Sequence, residues 1–588
     1  MKLYKLSLAL FLGFGAMSMT SCEDKLEVTN PNEQTTGTFG FTSDDLEECV
    51  IAAYHDLRME GSTGRVGYTI DAVRGDEVWN SSQVWYMPFD DMNDPVTDGI
   101  SFWPWREYYY AINVCNFILS RTTGDNAQLS ESMKRIKGQA LFIRGFAYYN
   151  LVGYYKDVPL ITDYSTYSSL DGLYGANNTS DEVLDQAEKD LKEAMELLPN
   201  RQAGGEWAKG RATCGAAAGY YARTLMFRHK YSEALEVLKD IIGGTKYGKY
   251  KLMANYGDNF REGSAYENND ESLFEVQYLD YGTQGVDDEW TPVNVSPNAT
   301  QGHAVESNFA PGDFGGWADL SASPWLYNLF KEERTTAGKL DPRLYWTLGT
   351  YEKEWEGFEN GNVAYTKKIT ATDTLRTNNN YGGIPIAKWT NMRTGLYSSV
   401  ATGLRCGINL RMMRYSDVLL RAAECENEVN GPTEQAIKWI NEVRQRAGLA
   451  DLKLEDFNTK DKLFEQIANV ERPKEFGCEN GRGMDLIRWG FFYDNGRLDQ
   501  LKEHGTFYKS KTIDVKTPVT YAQTKTDPEH VKSSYDTYLP GHEFLPIFQT
   551  LLNNNSNLKG NSANEGIDNS TDFFGRGWTV HPVVDLSK

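Results

Sequence analysis

The feature that most restricts the fold is a recurring helical spacing of small and large apolar residues. Tyr231, Ala234, Leu235, Leu238 and Ile242 follow one another at steps of three and four, which places them on one stripe of an α-helix. Just upstream, Ala218, Tyr221, Ala222 and Leu225 repeat the spacing, and a short His229-Lys230 connection lies between the two stripes. So short a link predicts an antiparallel helix pair of the tetratricopeptide type. Val183 to Leu198 reads as another helix, with Ala187, Leu191, Ala194 and Leu198 on one side. Tyr415 to Val429, then Gly431-Pro432-Thr433, then Ala436 to Arg446 gives a further pair, with Pro432 tolerated at the start of its helix. Thr42-Ser43-Asp44-Asp45 and Thr179-Ser180-Asp181-Glu182 have the form of capping boxes, each opening an apolar-periodic run. The fold class that follows is mainly α: a tetratricopeptide-like helical repeat scaffold, with no strict period of about 34 residues.

From about Gly243 to Arg405 the texture changes to Gly, Asn, Asp, Thr and aromatic residues with only short apolar runs. That stretch is too long for a structureless linker and too aromatic for disorder, so it predicts irregular loops and short strands laid over the helices. Loops of this kind are where binding residues tend to reside. The expected organisation is one large domain over 22–588, with helical scaffold at about 42–243 and 409–492, an irregular ligand-facing region at 244–408 and a tail at 493–588.

The N-terminus predicts a destination. Met1-Lys2-Leu3-Tyr4-Lys5 is positive, and Leu6 to Met19 is a nearly uncharged apolar run of fourteen residues. A bilayer crossing takes ~20 residues, so 1–21 reads as a secretion signal peptide. Thr20-Ser21-Cys22 resembles a bacterial lipobox, which implies cleavage ahead of Cys22 and acylation of that cysteine. The following Glu23-Asp24-Lys25 resembles the acidic export signals of surface lipoproteins of the Bacteroidetes. The remaining chain contains no second long apolar run, which excludes a polytopic membrane protein. A net charge of -22 disfavours nucleic acid and anionic membrane surfaces as partners, and weakly disfavours heavily sulfated glycans. Cys49, Cys115, Cys214, Cys406, Cys425 and Cys478 show no CxxC spacing and read as buried free thiols.

Four segments in order carry a family resemblance. The first is Gly138-Gln139-Ala140-Leu141-Phe142-Ile143-Arg144-Gly145-Phe146-Ala147-Tyr148-Tyr149, continuing to Val158-Pro159-Leu160; the second is Lys209-Gly210-Arg211-Ala212-Thr213. The third runs from Arg414-Tyr415-Ser416-Asp417 through Glu424 to Ile440-Asn441-Glu442-Val443-Arg444. The fourth is Glu471-Arg472-Pro473-Lys474-Glu475-Phe476, followed by Gly481-Arg482 and Asp485-Leu486-Ile487-Arg488-Trp489-Gly490. With the lipobox, this series resembles the SusD/RagB family of outer-membrane glycan-binding lipoproteins. The family's Pro-Ile-Pro near the C-terminus stands here as Leu545-Pro546-Ile547-Phe548. The charged residues of these segments sit at helical spacing beside apolar ones, so Arg414, Asp417, Glu424, Arg444, Glu471, Arg482, Asp485 and Arg488 read as paired charges bracing the scaffold.

No histidine pair has metal-ligand spacing, and no nucleophile elbow, phosphate loop or dinucleotide fingerprint stands out. A glycosidase needs only two carboxylates, and a peptide-binding lipoprotein of the same uptake architecture is the other alternative. Sugar recognition calls for aromatic platforms beside planar polar groups, and aromatic residues make up 13% of the chain. The segment Asp71 to Trp105 supplies both. In the resembled family the loop after the first long helix contacts ligand, which implies Asp76, Trp79, Trp85 and Tyr86. The middle region adds Trp290, Trp317 and Trp325, with Gly315-Gly316 leaving room for an exposed Trp317 ring. Trp103, Trp105, Trp439 and Trp489 read as packing. The resemblance further implies non-catalytic capture of an oligosaccharide or polysaccharide, for which the chain itself needs no cofactor. It also implies a lipid anchor at the cell-surface face of the outer membrane and delivery to a partner TonB-dependent transporter of the SusC type.

Overall fold

A computed structural model describes residues 42–81, 83–168, 174–279, 302–350, 352, 354, 383–393, 404–479, 481–509 and 518–588. Its frame is a run of long helices: α1 (Ser43–Leu57), the short α2 (Arg65–Val73) and α3 (Met87–Asp90), then α4 (Phe102–Arg121), α5 (Glu131–Tyr155) and α6 (Ser180–Leu197). After these come α7 (Cys214–Phe227), α8 (Tyr231–Gly243), α9 (Pro324–Lys331), α10 (Tyr415–Asn430), α11 (Glu434–Arg446), α12 (Arg482–Arg488) and α13 (Asn495–His504). Local chemistry starts them where the residues predict. Thr42 and Asp45 close one capping box and Thr179 and Glu182 another, each satisfying orphan N–H groups of a first turn. Pro432 lies outside its helix: Thr433 is the N-cap, its hydroxyl accepting from Ala436 N at 3.1 Å.

The long helices pack in succession, α1 on α4, α4 on α5, α5 on α6, α6 on α7, α7 on α8, α8 on α10 and α10 on α11. This is the tetratricopeptide-like stack expected. The contact between α5 and α6 is close enough to demand glycine: a Cβ on Gly145 would fall 2.8 Å from Leu191 Cγ. The buried stripe of α8 is Ala234, Leu235, Leu238 and Ile241, while Ile242 and Tyr221 are only half-buried. All six cysteines of the described residues are buried and free.

The strands are short and paired antiparallel: β1 (Val78–Asn80) with β3 (Leu320–Ala322), β2 (Ser272–Val276) with β4 (Leu410–Arg414), and β5 (Thr506–Tyr508) with β6 (Val531–Ser533). One apolar core runs through the molecule from Leu46 on α1 to Leu558 near the C-terminus. The tail folds back onto the scaffold. Trp578 stacks on His229 at 3.9 Å, and Arg497 donates to the carbonyls of His581 and Pro582 at 2.7 and 2.9 Å. Each ring nitrogen of His581 lies 2.6 Å from a carboxylate, Asp461 on one side and Glu428 on the other. Burial alone would lower the pKa of His581, but these two carboxylates raise it.

The charges singled out in the sequence are buried and paired. Asp417 takes bonds from Arg421 at 2.8 Å and Arg472 at 2.9 Å, with Arg223 at 3.2 Å. Asp485 takes bonds from Arg472 at 2.7 Å and Arg488 at 2.7 Å, and Arg488 also clasps Glu424. A second cluster joins Arg414 to Glu475 and Glu479 at 2.9 and 2.8 Å. Burial on its own would raise the Asp485 pKa, yet Arg472, Arg488 and Arg421 together hold it well below the usual carboxylate range. Replacing Asp485 with Asn leaves three buried guanidiniums short of their counter-charge. We expect a loss of about 3–5 kcal/mol in denaturant unfolding; stability within about 1 kcal/mol of wild type, well short of that range, would show that the cluster does not brace the fold.

Candidate functional site

Past the end of α2 the chain enters a segment whose conformation is held by residues far away in sequence. Asp76 is buried, and Arg482 donates to it from Nε at 2.7 Å and from a terminal nitrogen at 2.9 Å. His504 Nδ1 lies 2.8 Å from Asp76 Oδ2, the oxygen that also accepts from the terminal nitrogen. Burial pushes the Asp76 pKa up, but the Arg482 charge and the His504 bond outweigh it and keep the group ionised. The His504 ring in turn stacks on Trp325 at 3.8 Å with 8° between planes, and Trp79 stacks on Phe507 at 3.9 Å and 8°. Residues 504–507 thus carry two of the tryptophans.

Beyond Trp79 the backbone makes a clasped turn. Asn80 Nδ2 donates to the carbonyl of Gln83 at 2.7 Å while Gln83 N donates to Asn80 Oδ1 at 3.0 Å. Asn80 N donates to Asp90 at 2.9 Å, and Ser81 N to the carbonyl of Asp319 at 2.7 Å. The outcome is an apolar platform on a fixed base: Val84, Trp85 and Met87 are 67%, 40% and 40% exposed. Three exposed apolar side chains in four residues exceed the scattered single ones normal on a surface.

Among the described residues expected at the site, Trp85 alone presents a widely exposed ring. Asp76, Trp79 and Tyr86, expected as ligand contacts, are 1%, 3% and 3% exposed. Asp76 is consumed by Arg482 and His504, Phe507 covers a face of Trp79, and Tyr86 belongs to the apolar core. These three support the platform. Trp325 is half-buried with one face against His504. Trp317 is also half-buried, its ring 5.2 Å from the Arg65 guanidinium. The glycines beside it serve the backbone and not ring exposure. Gly315 has φ +83°, and a Cβ on Gly316 would sit 2.0 Å from the Ala310 carbonyl oxygen. Trp290 and Cys22 lie outside the described residues. Trp105, Trp439 and Trp489 are buried and Trp103 packs against the core, as expected.

Sequence reasoning missed Val84 and Met87, although two apolar residues flanking Trp85 in a polar stretch are a visible signal. His504 and Phe507 left none. A separate cleft of about 300 Å³ lies between residues 201–213 and strand β2. Its charges are internally matched, Arg201 with Asp270, Lys209 with Glu206 and Arg211 with Glu47. Among the described residues, no group of three His, Cys, Asp or Glu is placed to hold a metal ion.

The stacked helix pairs define a tetratricopeptide-like scaffold whose connections carry the exposed apolar platform. A family model described as the SusD family matches residues 270–566, and another, described as starch-binding associating with outer membrane, matches 24–226. The chain belongs to the SusD family. It is 26% identical over 530 residues to SusD-like protein P25 of Formosa agariphila, covering 84% of this chain and 91% of that one. SusD-like protein P2 of the same organism is 24% identical over 506 residues, covering 83% and 91%. Among solved structures, a SusD superfamily protein from Bacteroides vulgatus superposes with a TM-score of 0.68 at 24% identity, covering 90% of this chain and all of that one. Surface glycan-binding protein A from Bacteroides thetaiotaomicron, in complex with laminarihexaose, does so with 0.62 at 21% identity, covering 88% and 99%.

The clasp generates a prediction. In Asn80→Ala the two bonds to Gln83 are lost, each worth about 1 kcal/mol, so amide exchange across Gln83–Met87 should speed up by about tenfold or more. Unchanged exchange there would show that the clasp does not hold the platform.

Proposed function

We propose that this protein captures an oligosaccharide at the cell surface without cleaving it and hands it to a TonB-dependent outer-membrane transporter of the SusC type. The observation that carries the reading is the exposed Val84, Trp85 and Met87 platform on a loop clamped from below, in a chain of the SusD family. The apolar face of a pyranose packs on such a ring, and the fixed base spares the entropy of ordering the loop on binding. The glycan-binding relative solved with laminarihexaose supports a saccharide as the ligand class. Trp85 is the primary stacking residue in this reading. The partly exposed Trp317 and Trp325, together with Trp290, extend the surface, and Asp76, Trp79 and Tyr86 hold it in place. Residues 22–588 form the mature domain, tethered to the outer membrane by acyl chains on Cys22.

Trp85→Ala should weaken saccharide binding about tenfold in calorimetry, the equivalent of ~1.4 kcal/mol. No shorter sugars should appear during incubation with the purified protein. Wild-type affinity in the variant would move the site elsewhere, and released fragments would make the protein a hydrolase. For the anchor, Cys22→Ala should leave the outer-membrane fraction; its retention there would refute lipidation at this residue.

A further inference from the structure

Beside the platform lies a pair of lysines that the stacking surface itself does not use. In the β5–β6 ribbon Phe507 pairs with Lys532, and the next residue facing the same way is Lys509, one past the end of β5, whose N–H donates to the His530 carbonyl at 2.6 Å. Phe507, Lys532 and Lys509 therefore share one face, and Trp79 stacks on Phe507. Lys509 and Lys532 are diagonal neighbours on that face, and their charges act on one another and on Asp90 and Asp91 at the end of α3. Helix α3 is only about 6 Å long, so its start, bearing Met87 next to Trp85, and its lysine-facing end fall within reach of one short oligosaccharide.

The charge balance of this corner is unusual. Neither lysine is ion-paired with a carboxylate among the described residues. Asp90 is buried and its pKa is pushed up to about 8, so it offers little negative charge at pH 7. Asp536, the next acid, accepts from Tyr521 Oη at 2.6 Å and pairs with Lys525. Among the described residues that leaves Asp91, whose own pKa burial raises, as the remaining acid beside the two amines. Burial and the Lys532 charge lower the Lys509 pKa to about 8. An oxyanion placed between the two amines would relieve their repulsion and accept from both.

We propose that Lys509 and Lys532 form an anion-recognising edge of the saccharide site, taking a carboxylate or sulfate substituent of the bound sugar; this rests on the saccharide reading above. The net charge of -22 repels densely charged polyanions, so the edge suits a sugar with isolated anionic substituents.

The test uses the whole mature chain and two independent readouts. In calorimetry, oligosaccharides bearing a uronate, a sulfate or neither should separate, the anionic ones binding about tenfold tighter at low salt, with the preference shrinking as salt rises. The tighter anionic ligand identifies the substituent. The Lys509→Gln/Lys532→Gln variant should lose the preference and keep neutral-sugar affinity. In the second readout, NMR of ¹³C-labelled lysine should show Lys509 and Lys532 signals shifting saturably with sodium sulfate or sodium acetate. Equal affinities in the wild type, or a preference surviving in the double variant, would overturn the inference; the saccharide reading would stand if Trp85→Ala still weakened neutral-sugar binding. Saturable lysine shifts in a protein that binds none of the oligosaccharides would instead defeat the saccharide reading and leave an anion site. Silent lysine signals would remove the anion site whatever sugar binds.

Discussion

The structure turns on guanidinium–carboxylate pairing in its interior. Asp417, Glu424 and Asp485 are buried with Arg223, Arg421, Arg472 and Arg488, and the members come from α7, α10, α12 and the residue just before Pro473. Burying such charges is costly, and only near-complete satisfaction of their donors and acceptors makes it tolerable. Arginine suits this role because its planar fork bonds two carboxylates at once, as Arg472 does with Asp417 and Asp485. Apolar packing between helices is forgiving of small slides. A multidentate ion cluster is not, so the helices it joins have one relative placement.

That placement is passed to the exposed platform through Arg482. It lies on α12, one turn before Asp485, and its guanidinium fixes Asp76 at the root of β1. Asp76 meets His504, His504 carries Trp325, and three residues later Phe507 carries Trp79. The scaffold and the platform are therefore one mechanical unit. The side chains with the most distinctive chemistry in this region are spent on positioning, while the exposed platform is comparatively plain: Val84, Trp85 and Met87.

A shallow apolar platform suits ligands that are themselves mostly uncharged and hydroxylated. Stacking on aromatic faces is weakly selective among sugars, and selectivity must come from what surrounds the ring. The amines of Lys509 and Lys532 offer one such element at the end of α3. Their local field opposes that of the chain as a whole, and at close range the nearby charges dominate because distant ones are screened.

Much of the scaffold was legible in the residues because its causes are local. Three-and-four spacing of Ala187, Leu191 and Ala194 and the capping boxes at Thr42 and Thr179 act within a few residues of themselves, and they specify helices wherever the chain goes. The reading of Asp417, Asp485 and Arg488 as bracing charges also rested on local spacing beside apolar positions. The site was legible only in outline. Trp79 and Trp85 lie in the same polar stretch, and nothing near them says which ring is covered. The decision belongs to Phe507 and to the clasp of Asn80 on Gln83, and Asp76 is claimed by a histidine 428 residues away. Local sequence determined which segments are helical and which loop is rich in aromatic and polar groups. Tertiary structure alone decided which of those groups face solvent, because exposure is set by whatever distant chain packs against them.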